Sequence, residues 1–173
     1  YVNDLIENRM ALVSEIRNAH PDVCITLCGI RDASPFWRQW VNYIDDSAFQ
    51  NFDEKFSDDL SEVEAYISTT DTIYYNTFCR HSLQFSPAML SKAIRGGDFS
   101  NDEFYKAIMW SVVSGEGLLQ LDNSMTMLDD IKRDKLSKAL KFKADNQHVL
   151  RNTNFIGGNP ADGNIYGFVS WDD

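Results

Sequence analysis

The sequence is short of cysteine, of long apolar runs, of positive charge and of any repeated or low-complexity tract. Each shortage excludes something. Cys24, Cys28 and Cys79 are an odd number and too few for a disulfide framework. His20, His81 and His148 are scattered, so no metal-ligand set is expected around them. Cys24 and Cys28 stand four apart in a strand-like run, which places both on one face and predicts buried free thiols. No apolar stretch approaches the roughly 20 residues of a membrane-spanning helix, so a membrane is not an expected partner. Lys and Arg number 16 against 26 Asp and Glu, a formal net charge of -10. A chain this acidic repels phosphate backbones, and nucleic acid is not an expected partner either. The chain opens at Tyr1 with no charged-then-apolar leader, which reads as a processed start or one inside a longer protein.

What is present suits a packed domain, with 43% hydrophobic and 24% charged residues in 173. Leu5, Ile6, Met10, Val13 and Ile16 recur at helical spacing and predict a helix over 4–19, ended by Pro21. The run 23–28, closed by Gly29, reads as a buried strand. Ser34 and Pro35 suit the start of a helix, with Trp37, Trp40, Val41 and Ile44 as an apolar stripe. Residues 45–62 crowd seven acidic side chains with three phenylalanines and read as a long acidic loop. A helix is expected over 70–82, with Ile73, Tyr74, Phe78 and Cys79 as its apolar face. Ser100 and Glu103 form a capping box that opens a helix running to about Val113. The run 118–121 reads as a buried strand, and 129–150 as a helix with Ile131, Leu136, Leu140 and Val149 apolar. After a turn at 159–164, alternation puts Ile165, Gly167, Val169 and Trp171 on one side of a strand and Tyr166, Phe168 and Ser170 on the other. A strand needs a neighbour, so this one predicts the start of a truncated second domain.

Several segments, in order, resemble the second half of the melibiase-type barrel of α-galactosidases and α-N-acetylgalactosaminidases. The opening helix and His20-Pro21-Asp22-Val23 resemble the approach to that family's fifth strand, 25–29. Ser34-Pro35-Phe36-Trp37 is similar to a segment of secreted bacterial members. Residues 114–122 look like the eighth strand, 131–150 like the last barrel helix, and 155–171 like the crossing into a C-terminal β-sandwich. The resemblance implies an α/β fold, the C-terminal half of a (β/α)8 TIM-type barrel ending at the first strand of that sandwich. Residues 1–157 would be the partial barrel, and 158–173 a linker and first strand. Exposed barrel edges would then invite self-association.

The family's chemistry is retaining hydrolysis of an α-glycoside by two carboxylates about 5 Å apart, with a carbohydrate substrate and no cofactor. The resemblance places the nucleophile upstream of Tyr1, so the chain alone is expected to be inactive, and it implies secretion or a periplasmic location. It places the acid/base after the sixth strand, with Asp46 first and Asp45 second. Here the family's usual Trp-then-Ser/Gly-Asp signature is missing, and Asp45 and Asp46 also read as a solvated helix end. Arg31 and Asp32 would meet sugar hydroxyls, a task that suits a forked guanidinium, or simply bond each other in a loop. Trp37 would stack on a sugar face, with core packing as the plainer alternative. The other readings are a non-catalytic carbohydrate-binding module and a small acidic interaction domain.

Overall fold

Helix starts in this chain are set by side chains that satisfy the first free backbone N–H groups. Ser61 and Glu64 form a reciprocal capping box at the start of α2 (Glu62–Thr77), and Ser100 and Glu103 repeat it at α3 (Asn101–Val113). Asp129 caps α4 (Asp130–Asp145) through the N–H of Lys132. The computed structural model describes residues 2–27, 35–45, 60–81, 90–94, 99–115, 117–121 and 125–172. The remaining helices are α1 (Val2–Ala19) and the single turn α5 (Gln147–Leu150).

Four short strands, β1 (Thr26–Leu27), β2 (Tyr43–Asp45), β3 (Leu90–Ile94) and β4 (Leu119–Leu121), form one sheet in the order β1-β2-β3-β4. All three pairings are parallel, with Thr26 opposite Tyr43, Ile44 opposite Leu90 and Lys92 opposite Leu119. Parallel neighbours need crossovers. A short 3-10 helix (Pro35–Gln39) lies in the first, α2 in the second and α3 in the third. A separate antiparallel hairpin joins β5 (Asn154–Gly157) to β6 (Tyr166–Val169).

Among the described residues, two apolar clusters make the core. The first gathers Phe104, Ile108 and Val112 of α3 with Leu136 and Ala139 of α4 and Val63 of α2. The second gathers Val13 of α1, Trp37, Val41, Ile44 of β2, and Tyr74 and Phe78 from the far end of α2. Helix α2 therefore belongs to both, its first turn in one and its last in the other.

Several expectations are corrected. The helix expected over 70–82 begins at Glu62, because the Ser61–Glu64 box starts it inside the stretch read as acidic loop. That stretch also opens with the last residue of β2. The helix expected over 129–150 breaks at Asn146, whose side-chain amide donates to the Phe142 carbonyl at 2.8 Å and competes with the backbone ladder. Its buried face carries Lys132, Leu136 and Ala139, leaving Ile131 and Leu140 exposed. On α1, Leu5 and Ile6 stay exposed and Val13 is buried. Cys24 is exposed, since the strand begins only at Thr26. The closing strand is not alone, because β5 pairs with it.

Candidate active site

Side chains at the C-terminal ends of parallel strands, and the loops that follow them, are where such sheets gather chemistry. That edge is marked by Leu27, Asp45, Ile94 and Leu121. Asp45 is the last residue of β2, with Ser91 of β3 as its register partner. Asp46 follows it in sequence and lies outside the described residues, as do Arg31 and Asp32 beyond β1. The backbone of β2 thus carries Asp45 to this edge.

The strand is fixed at its other end. The side-chain oxygen of Asn42 accepts from the N–H of Ile25 and from the Arg17 guanidinium, both at 2.9 Å. Arg17 also donates to the carbonyls of Val23 at 2.7 Å and Pro21 at 3.3 Å. One forked side chain thus ties the end of α1, the turn after it and the start of β2. Ile44, 1% exposed, anchors the middle of the strand in the second core cluster.

Trp37 is 6% exposed and sits in the same cluster, edge-on to Phe36 at 5.5 Å between ring centroids. Trp40 is half-buried beside it, and its indole N–H is buried without a hydrogen-bond partner among the described residues.

A second polar group is built on α2 and α3. Asp71 of α2 is 2% exposed and accepts from the Trp110 indole of α3 at 3.0 and 3.2 Å. Burial, with Asp71 beside it, raises the Tyr166 phenol above its ordinary range, and burial does the same to Tyr74. Sequence reasoning missed Asp71. It sits in Thr69-Thr70-Asp71-Thr72, a polar run that reads as a solvated helix face. Only the flanking Thr69 and Thr72, both buried, differ from such a face, and their burial comes from tertiary packing.

Among the described residues no group of three His, Cys, Asp or Glu could hold a metal ion, and no helix is long and apolar enough to cross a membrane. No protein-family model matches the chain, and no curated protein or solved structure matches it.

Proposed function

We propose that this chain is part of a retaining α-glycosidase acting on α-linked galactose or N-acetylgalactosamine, built on half of a (β/α)8 barrel. The observation that carries the reading is the sheet order. Four parallel strands lie side by side in chain order, and the second brings Asp45, with Asp46 next in sequence, to the C-terminal edge. This is the edge on which barrel enzymes place their catalytic groups. Asp46 takes the acid/base role, with Asp45 as the alternative, and Arg31 and Asp32 meet sugar hydroxyls. The nucleophile belongs to the strand that precedes α1 in the family's order, so activity is a property of the whole protein and not of this chain alone.

Asp46→Asn in the whole enzyme tests the assignment. An acid/base protonates the leaving oxygen, so its loss should cut hydrolysis of an unactivated galactoside by roughly a hundredfold or more. A galactoside with a good aryl leaving group needs less protonation and should suffer less. Equal activity of wild type and Asp46→Asn on the unactivated substrate removes Asp46 from the mechanism. Asp45→Asn then becomes the next variant.

A further inference from the structure

Strand β2 is short, Tyr43–Asp45, and Ile44 is its residue in the second core cluster. A single apolar side chain fixes which face of a strand turns inward, but its contacts carry no direction, so the strand can still pivot about it. The ladders to β1 and β3 span two register pairs each, a short lever against pivoting. A second fixed point is needed to set the line of the strand, and with it where Asp45 stands at the C-terminal edge.

Asn42 supplies that point. Its backbone N–H donates to the Ile25 carbonyl at 2.9 Å, and its side-chain oxygen accepts the Ile25 N–H at 2.9 Å. The two residues are bonded in both directions, one position before each strand opens. The same oxygen accepts from the Arg17 guanidinium at 2.9 Å, and Arg17 also donates to the carbonyls of Val23 and Pro21. Asn42 is exposed, so water competes for its amide. A charged, forked donor makes stronger bonds and loses less freedom for each one. Arg17 therefore keeps the Asn42 side chain turned towards Ile25.

We propose that Asn42, oriented by Arg17, is a positioning residue that aims β2 and so sets where Asp45 stands at the edge carrying the candidate acid/base. The consequence for catalysis rests on the glycosidase reading above, whereas the aiming itself does not. With Ile44 as the pivot, a displacement at Asn42 swings Asp45 the other way by about half as much, because Asn42 lies twice as far along the strand from the pivot. A misplacement of about 1 Å costs an enzyme roughly a hundredfold in rate.

Two measurements on the whole protein test this. Residue-resolved hydrogen–deuterium exchange at Tyr43 and Ile44 reads the aim of β2, with the α3 amides as reference. Asn42→Ala removes the acceptor, and the β2 amides should exchange about fivefold faster or more, the ratio that a lost hydrogen bond corresponds to. The α3 amides should keep their protection. Asn42→Asp keeps an oxygen for Ile25 and Arg17 and should exchange like wild type. Arg17→Met takes away the orienting donor and should repeat the Asn42→Ala pattern, and it decides alone should Asn42→Ala fail to fold. Unchanged β2 exchange overturns the proposal, and so does an equal rise in α3 or in Asn42→Asp. Turnover of an unactivated α-galactoside reads the consequence. Asn42→Ala should lower kcat roughly tenfold to a hundredfold with KM nearly unchanged, and Asn42→Asp should restore it. A kcat equal to wild type beside faster β2 exchange overturns the positioning role. A wild-type protein that cleaves no α-galactoside defeats the glycosidase reading by itself, and amide exchange still decides whether Asn42 aims β2.

Discussion

Cys24 and Cys79 occupy opposite surroundings. Cys24 is exposed in the turn before β1, whereas Cys79 is partly covered beside the second core cluster. Burial pushes the Cys79 thiol up to about 11 from its usual 9.0, so the reactive thiolate is scarce at pH 8. Labelling with a thiol reagent at pH 8, followed by peptide mapping, should therefore modify Cys24 well before Cys79. Equal rates would show that the cover over Cys79 opens readily. Gly157 is a second sharp position, with a φ of +98° and only 2.3 Å between an added Cβ and the Ile165 carbonyl oxygen. Both the left-handed backbone and the contact oppose a side chain, so Gly157→Ala should cost about 1–3 kcal/mol. Urea titration of the variant checks this, and a midpoint equal to wild type would mean that the hairpin contributes nothing to the transition. At this scale the sequence was a partial guide. The burial of Trp37 could be weighed from its apolar stripe, but the exposure of Cys24 depended on where a two-residue strand began. Asp71 was illegible because Trp110, its hydrogen-bond partner, lies 39 residues away.

Elements were legible where their own ends announced them. Helix α3 runs from Asn101 to Val113, as its Ser100–Glu103 box predicts, and the alternation of 165–171 sorts Tyr166 and Phe168 from Val169 and Trp171 as the hairpin does. Helix α2 carries the same signature at Ser61–Glu64, but acidic neighbours mask it, and periodicity alone places the start of the helix at 70. Strands β3 and β5 lacked any signal of comparable strength, because short strands are specified by their pairing more than by their residues. The α2 box has a measurable consequence. A 2.6 Å bond to Lys106, then bonds from Ser61, hold the Glu64 carboxyl at about 2 against its usual 4.5. A carboxyl depressed on folding stabilises the fold above about pH 4.5, and that contribution is lost as the pH falls towards 2. The stability gap between wild type and Glu64→Gln should accordingly be widest near neutral pH and close between those values. Ser61→Ala removes the cap itself and should cost about 1 kcal/mol at pH 7. Urea midpoints at pH 7, 4 and 2.5 follow both variants, and a gap that stays constant with pH would show that the box does not hold the Glu64 charge.

At the scale of the whole molecule, the question is whether two apolar clusters make two units or one. The first is built on α3 and α4, the second on α1, β2 and the Trp37 segment, and only some elements serve both. Helix α2 places Val63, fully buried, in the first, and its last turn places Tyr74 and the following Phe78, fully buried, in the second. A Lys106–Glu64 bond adds a surface tie from α3 to α2, though exposed pairs of this kind contribute little. The parallel sheet adds the other bridge, since β3 pairs with β2 on one side and with β4 on the other. Melting one cluster would strip α2 of half its packing, and a helix of its length is marginal in water without tertiary contacts. Global unfolding should therefore be one transition. The tryptophans provide the probes. Trp110 reports the α2–α3 contact and Trp37 the second cluster, so single-tryptophan variants that keep one or the other should give coincident urea curves. Phe78→Ala should shift both curves equally, by the roughly 3–5 kcal/mol expected of a large buried aromatic. Curves that separate, with only the Trp37 probe moved by Phe78→Ala, would make the clusters independent units and confine α2 to the role of a linker between them.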